Sequence, residues 1–164
     1  VAQEEGMRLS IHPSDPPYLM YEGYASLMHN GDCFRKAFAM ADAIAPGVLG
    51  MKFCCGCWLE GGKAFGDILS DLREFVRDHR VLTVHFRNVS SPLPCFTETL
   101  CEDGYMDMTK VMRLLVEEKY DQAIYVDHIF QTTEATGGDL AAFAYATGYM
   151  KGLMNMAYSD AANK

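Results

Sequence analysis

The sequence has no apolar run near the roughly 18 to 20 residues that a bilayer-spanning helix needs, so no membrane span is expected. It is also poor in basic residues. The net charge of −8 and a pI near 5 argue against nucleic acid or an anionic membrane surface as the main partner. Arg73, Arg77 and Arg80 alternate with acidic residues, which is typical of a solvated helix face. The first ten residues lack the apolar segment of a signal peptide, and a cytoplasmic location is the expectation.

A second cysteine pair at metal-binding spacing is missing too. Cys54, Cys55 and Cys57 lie within four positions, which is a poor arrangement for disulfides that close loops. Cys95 and Cys101 are too loosely spaced to complete a four-cysteine zinc site. We therefore expect reduced thiols in a cytosolic protein.

What the chain does have is hydrophobic patterning for four successive strand–loop–helix units. The patterns predict strands over 7–11, 48–53, 81–86 and 122–126, and helices over 33–45, 65–79, 110–120 and 140–158. Strands that alternate with helices indicate a parallel α/β architecture. The expected organisation is one domain over 1–164, with frayed ends at 1–6 and 159–164.

Some finer expectations concern individual side chains. The pattern of the second helix places Asp71 on its solvent face. In the last helix, Asp139 is the expected N-cap, and Leu140 and Phe143 are expected to face inward. His29 is expected at the surface, as is His79.

Each predicted strand has at its carboxyl end a residue that can bind a divalent metal. These residues are His12, Cys54, His85 and Asp127. Each alone has an ordinary structural explanation, such as a hydrogen-bonded histidine or a small buried thiol. Because the carboxyl ends of parallel strands lie on one rim, the four side chains can converge. Two imidazoles, a thiolate and a carboxylate suit Mn²⁺, Fe²⁺, Zn²⁺ or Co²⁺.

Three neighbouring residues are candidates for the chemistry itself. His128 follows the candidate ligand Asp127 and can act as a general acid or base, or it can be a surface histidine. Arg87 suits a substrate carboxylate by bidentate pairing, or it can form a structural salt bridge. Glu98 can bind a sugar hydroxyl or orient a ligand imidazole, or it can be a plain loop carboxylate.

At these residues the sequence resembles the C-terminal half of the mannonate dehydratase family. The segments that carry the resemblance are, in order, IHPSDPP, FCCGCW, VHFRNV, FTETLCEDGYMDM, YVDH and GYMKGL, between Met7 and Leu153. The resemblance implies a xylose-isomerase-like TIM barrel. It also implies the dehydration of D-mannonate to 2-keto-3-deoxy-D-gluconate in hexuronate (glucuronate) catabolism, with Mn²⁺ or a similar ion.

Carried over by position, the resemblance implies specific roles. The implied metal ligands are again the four strand-end residues His12, Cys54, His85 and Asp127. His128 matches a proposed acid/base, and Arg87 and Asn88 match the strand-end Arg-Asn pair, which we predict to bind substrate together with Glu98.

The sequence departs from the family pattern at several positions. Val126 and Ile129 replace a proline and a glycine around Asp-His, while Thr97 and Cys101 stand where histidine is common. The segment TGGDLAAF lacks the family's catalytic tyrosine. Four β/α units are also half of a barrel, and they resemble strands five to eight. The resemblance therefore implies a fragment, a split enzyme, or half-barrels that associate, with a second chain or a further copy completing the barrel.

Three functions remain open from the sequence. The first is a metal-dependent sugar-acid dehydratase, or the metal-bearing half of one. The second is a metal-dependent sugar isomerase or epimerase, which the missing tyrosine favours. The third is a non-catalytic subunit that binds metal or sugar and supports a partner chain.

Overall fold

Four parallel strands and the helices that connect them form the fold. The computed structural model describes residues 1–129, 132–134 and 137–163. In chain order the elements are β1 (Leu9–Ile11), β2 (Met20–Tyr21), β3 (Tyr24–Ala25), α1 (Gly31–Asp42), β4 (Leu49–Cys54), α2 (Cys55–Gly61), a 3-10 turn (Gly62–Ala64), α3 (Ile68–Arg77), β5 (Val81–His85), α4 (Met108–Glu117), β6 (Ala123–Tyr125) and α5 (Gly138–Ala162).

The main sheet has the strand order β1-β4-β5-β6, and every neighbouring pair in it is parallel. This confirms the predicted parallel α/β architecture. The register aligns Cys54 with His85, and His85 with Tyr125, so the strands end side by side. The side chains that follow the strands therefore share one rim of the sheet.

Helix starts are fixed by local capping. Asn30 accepts a hydrogen bond from the backbone N–H of Cys33 at the start of α1, and Asp67 accepts one from Ser70 at the start of α3. Asp107 does the same for Thr109 at the start of α4. Side-chain oxygens at these positions satisfy N–H groups that have no partner inside the helix.

The core is built around Trp58, whose ring centroid lies 4.0 Å from that of Phe53 and 4.3 Å from that of Phe65. The indole N–H donates to Asp71 over 2.9 Å. Asp71 is also paired with Arg35 at 2.6 Å and is only 6% exposed, so its predicted place on the solvent face is wrong. The reason is that α1 packs its arginine over this face of α3.

Two regions predicted as loops contain regular structure. The segment after Cys54 forms α2, with Cys55, Cys57 and Leu59 buried. Its glycines hid the helix from sequence patterns, because seven residues are too few for a clear period. The loop after β1 contains the antiparallel β2–β3 hairpin.

The last helix is longer than predicted, and a different face of it is buried. Its N-cap is Gly137 with φ of 97°, so Asp139 lies in the first turn instead of capping it. Leu140 is 81% exposed and Phe143 is 42% exposed, which corrects their predicted inward position. The buried face holds Ala142, Ala146, Met150, Leu153 and Ala157. Apolar residues occur on all sides of this helix, so their spacing does not indicate which face is buried.

Within the described ranges, no helix combines the length and apolar character needed to cross a membrane.

Candidate metal centre

The four side chains predicted at the strand ends meet at the carboxyl rim of the sheet. Cys54 ends β4 and His85 ends β5, while His12 directly follows β1 and Asp127 comes two residues after β6. Each offers one ligand atom, and all four atoms lie within 4.8 Å of one another. The convergence inferred from the sequence is therefore present in the fold.

The distances within the cluster are short. His85 Nδ1 lies 3.0 Å from Asp127 Oδ2 and 3.4 Å from His12 Nε2. Cys54 Sγ lies 3.9 Å from the same Asp127 oxygen. Cys54 and His85 are buried, and His12 and Asp127 are partly exposed. The cluster is therefore rooted in the core and opens to solvent on one side.

Both imidazole rings are oriented by a hydrogen bond on their far side. His12 Nδ1 donates to the carbonyl oxygen of Pro13 over 2.7 Å, which leaves Nε2 facing the cluster. His85 Nε2 lies 2.8 Å from the hydroxyl of Tyr125, which leaves Nδ1 facing the cluster. Histidines that bind metals typically make such a bond from the nitrogen that is not the ligand.

The electrostatics of the cluster also suit a cation. Burial disfavours charge on His85, but the bonds with Asp127 and Cys54 outweigh it and raise its pKa to about 10. Burial is likewise outweighed at His12, where Cys54 raises the pKa. The Cys54 pKa lies well below its usual range, chiefly because of a hydrogen bond with Cys57 and also because of both histidines. The two imidazoles thus favour the anionic forms of the thiol and the carboxyl group, and a divalent cation can take over that role.

A second charged cluster lies beside the first, centred on Arg87. Its guanidinium is 3.1 Å from Asp15 Oδ2 and 2.5 Å from Glu60 Oε1, and its Nε donates to Glu98 over 2.9 Å. Arg87 is only 2% exposed. Of the two alternatives for Arg87, the structural salt bridge is the arrangement seen, and a contact with a substrate carboxylate stays a prediction.

His128 and Glu98 lie at the mouth of the site. The side chain of His128 is 51% exposed, with Nδ1 3.4 Å from Glu98 and Nε2 3.8 Å from Asp127. Glu98 thus connects the guanidinium of Arg87 to the imidazole of His128. The predicted acid/base is placed next to the candidate ligands, with access to solvent.

Asn88 is used differently from the prediction. Its amide nitrogen donates to the carbonyl oxygens of Cys101 and Met106, each over 2.8 Å, and its oxygen accepts from the N–H of Val89. It is 1% exposed. With its hydrogen-bonding atoms engaged by the backbone of the following loop, Asn88 holds that loop and has none to offer a substrate.

The two remaining histidines lie apart from the cluster. His79 is exposed, as predicted. His29 is partly buried, and its Nδ1 donates to the carbonyl oxygen of Ser26 over 2.7 Å, so its predicted surface position is wrong. A cavity of about 550 Å³ lies at the other end of the sheet, near Val81 and Tyr120. Without convergent ligand atoms there, we place the function at the rim that holds the four donors.

Sequence reasoning missed four residues of this region: Asp15, Cys57, Glu60 and Tyr125. Cys57 and Glu60 lie on α2, which was predicted to be a loop. Asp15 follows the candidate ligand His12 by three residues, and Tyr125 ends β6 directly before the Val-Asp-His segment. For the last two, proximity to a strand end is the signal that could have found them.

The fold and the rim together define a parallel β/α protein with a candidate divalent-metal centre at the carboxyl ends of its strands. The family model for D-mannonate dehydratase (UxuA) matches residues 1–164. The chain therefore belongs to the mannonate dehydratase family.

Comparisons with individual proteins agree with this assignment. The chain is 31% identical to the mannonate dehydratase of Enterococcus faecalis over 159 residues, which are 93% of this chain and 42% of that protein. The crystal structure of mannonate dehydratase from Streptococcus suis serotype 2 superposes with a TM-score of 0.80 at 26% identity, over 98% of this chain and 46% of that one.

A xylose isomerase domain protein from Alicyclobacillus acidocaldarius shares the fold, with a TM-score of 0.72 at 15% identity, over 96% of this chain and 54% of that one. The fold is thus similar to xylose-isomerase-like TIM barrels. The chain spans less than half the length of the mannonate dehydratases it matches.

Proposed function

We propose that this chain carries the metal-bearing half of a dehydratase that converts D-mannonate, or a related sugar acid, to 2-keto-3-deoxy-D-gluconate. The observation that carries the proposal is the convergence of His12, Cys54, His85 and Asp127 within 4.8 Å. Family membership and similarity to mannonate dehydratases point to the same reaction class.

The four donors suit a divalent cation of borderline softness, with Mn²⁺ as our first choice and Fe²⁺, Co²⁺ or Zn²⁺ as alternatives. Such an ion, when bound, would act as a Lewis acid on oxygen atoms of the substrate. The hydrogen bonds from His12 to Pro13 and between His85 and Tyr125 would hold both rings in place for it.

His128 is our candidate for the group that moves a proton. Its half-exposed ring stands between Glu98 and Asp127, so a substrate bound at the rim would lie next to it. Imidazole is suited to this task because it changes charge near neutral pH. Glu98, with a side chain 26% exposed, could accept a hydrogen bond from a substrate hydroxyl.

In this proposal Arg87 acts indirectly, through Glu98. Its guanidinium is bonded to Glu98, which in turn lies against His128. We infer that Arg87 positions Glu98, and that a direct contact between Arg87 and a substrate carboxylate would require Glu98 to move away. This revises the catalytic role that the sequence suggested for Arg87.

We also propose that the chain works as half of a barrel, resembling strands five to eight. In the sheet described here, β1 and β6 are the two outer strands, and Leu9 on β1 is 53% exposed. Such edges accept a further strand readily. A second chain that supplies the remaining β/α units, or a second copy of this chain, would pair with them.

The experiment combines native mass spectrometry with a product assay. The assembled particle, loaded with Mn²⁺, is incubated with D-mannonate and the products are followed by NMR. We expect a 3-deoxy-2-keto acid from the unmodified protein and from Cys95→Ser, whose thiol is exposed and is not among the candidate ligands. His128→Asn should remove most turnover while Mn²⁺ binding persists. The absence of turnover from a complete, metal-loaded barrel would overturn the dehydratase.

The same spectra distinguish the second candidate, a sugar isomerase or epimerase. It is favoured by the lack of tyrosine in 136–143, a segment of which Thr136 lies outside the described residues. Isomerisation conserves water, so the product would have the mass of the substrate. A non-catalytic subunit would instead be indicated if Cys54→Ala and His128→Ala left the activity of the complex unchanged.

A further inference from the structure

Cys54 and Cys57 form a Cys-x-x-Cys pair where β4 passes directly into α2. Cys54 is the N-cap of α2 and Cys57 lies in the first turn of that helix. Both are fully buried, and three positions separate them along the chain. Cys57 is not among the four donors of the rim; its thiol lies instead with Asp15 and Glu60 in a separate group of possible ligand atoms.

The spacing of the pair suits a disulfide. Residues three positions apart face each other across one helical turn, and Cys-x-x-Cys motifs use this spacing for reversible oxidation. All six cysteines lie in the described ranges and are free thiols, so the pair is in its reduced form. Cys55 lies between them with the same burial, and it provides an internal comparison.

The sulfur of Cys54 lies one layer below the solvent-exposed mouth of the site. It is 3.9 Å from Asp127, whose side chain is 19% exposed. A small oxidant that enters the mouth beside Asp127 therefore comes close to Cys54.

We propose that Cys54 and Cys57 form a reversible disulfide when the rim holds no metal, with hydrogen peroxide as the oxidant. Cys54 sulfur attacks one peroxide oxygen, the O–O bond breaks, and the thiol becomes a sulfenic acid with release of water. Cys57 sulfur then attacks the Cys54 sulfur, the S–O bond breaks, the S–S bond forms, and a second water leaves. Two thiols are oxidised and one peroxide is reduced; a dithiol reductant reverses the reaction by exchange.

The consequence of this step rests on the proposed metal function, although the step itself does not. The disulfide would take the thiolate away from the other three donors of the rim. Metal binding and oxidation would therefore exclude one another, and bound Mn²⁺ would protect Cys54.

The test uses the metal-free chain and a brief exposure to peroxide, followed by denaturation in N-ethylmaleimide. Trypsin releases the peptide 53–63, which holds Cys54, Cys55 and Cys57. We expect a single maleimide adduct on Cys55 after oxidation, and three adducts after oxidation followed by dithiothreitol. Three adducts directly after oxidation, or a single adduct on Cys57, would overturn the proposal.

Variants then separate the pair from the other thiols. Cys57→Ser should leave Cys54 as a sulfenic acid that dimedone traps and that further peroxide converts irreversibly to the sulfinic form. Cys55→Ser and Cys95→Ser should form the disulfide as the unmodified chain does. A loss of the disulfide in Cys55→Ser while its circular dichroism is unchanged would contradict the assignment.

Protection by Mn²⁺ is measured separately, by repeating the mapping with the metal present. If the disulfide forms without metal but Mn²⁺ gives no protection, the metal function fails and the redox pair stands. If Mn²⁺ binds but no disulfide forms in its absence, the redox pair fails and the metal function stands.

Discussion

Two charged clusters lie side by side at the carboxyl rim, and they differ in where their cation comes from. In the Arg87 cluster the chain provides its own cation, a guanidinium that contacts Asp15, Glu60 and Glu98. In the other cluster four possible metal ligands converge on one another, and among the described residues no arginine or lysine forms an ion pair with them. The Arg87 cluster thus contains its own cation, whereas the four-donor cluster is the one for which we propose a metal ion.

The comparison shows that buried polar groups mark a candidate site only when they are not already matched. Asp71 is as buried as His85, but Trp58 and Arg35 satisfy it. Glu60 is an intermediate case, since its oxygens have no hydrogen-bond partner among the described residues although Arg87 lies 2.5 Å away. The geometry brings the charges together without aligning an N–H with that oxygen.

The largest expected effect comes from removing the internal cation. Arg87→Met leaves buried carboxylates uncompensated, and we expect it to lower the free energy of unfolding by about 3–5 kcal/mol, measured by urea denaturation. Arg77→Met is the matched control, because Arg77 pairs with Glu118 at the surface with its side chain 62% exposed. It should cost less than about 1 kcal/mol.

Adding Glu60→Gln to Arg87→Met should recover part of the loss, because a neutral amide then replaces a buried carboxyl group that has lost its cationic partner. Equal unfolding free energies for the two arginine variants would show that the Arg87 cluster is not a closed ionic unit.

The sequence predicts one of these two clusters and not the other, because only one of them is built from residues at the ends of strands. The four donors could be found because parallel strands end on a common rim, and each donor either ends a strand or follows one within two residues. The Arg87 cluster could not be found in this way. Glu60 comes from a helix too short to show a period, and Asp15 from a proline-rich loop whose path depends on tertiary contacts.

The same contrast holds for the fold: local patterns predict some elements, while others depend on residues that are distant in the chain. Helix α3 has a clear apolar face and was located within three residues at each end, whereas apolar side chains on all sides of α5 concealed which face is buried. The burial of Asp71 depends on Arg35, which is 36 positions away in the chain. Patterns within one element carry no information about such a partner.

The second expected effect is the stabilisation that added Mn²⁺ would give through the four-donor cluster. At a Mn²⁺ concentration 100 times its dissociation constant, we expect the free energy of unfolding to rise by about 2.7 kcal/mol. Cys54→Ser should lose most of this gain, and Cys95→Ser should keep it. The measurement is urea denaturation with and without Mn²⁺, and an equal gain in Cys54→Ser would remove Cys54 from the ligand set.

The third effect is smaller and arises where the two clusters touch. Gly56 lies on α2, and a Cβ atom there would be 2.5 Å from Arg87 Cδ and 2.6 Å from Nη1. We expect Gly56→Ala to lower the free energy of unfolding by about 1–3 kcal/mol, since the buried arginine has little room to shift. Gly152→Ala in α5, where nothing lies within 4 Å, should be neutral or stabilising by up to about 1 kcal/mol.

If the clash with Arg87 is the cause, the cost of Gly56→Ala should shrink in the Arg87→Met background. A cost that stays the same in that background would place the strain in the backbone of α2 instead.

The smallest effect is a pH dependence that belongs to the Arg87 cluster. Burial raises the pKa of Glu60 from 4.5 to about 8, although Arg87 opposes the shift. Between these two values the folded chain binds a proton at Glu60 that the unfolded chain has released. Stability from this group is therefore fully present below pH 4.5 and declines as the pH rises towards 8, by at most about 1.4 kcal/mol per pH unit.

Glu60→Gln has no such proton. The advantage of this variant over the unmodified chain in free energy of unfolding should therefore grow from pH 6 to pH 8, as measured in paired urea titrations. An advantage that stays constant from pH 6 to pH 8 would mean that Glu60 is charged in the fold, and the Arg87 cluster would then be a fully ionised assembly.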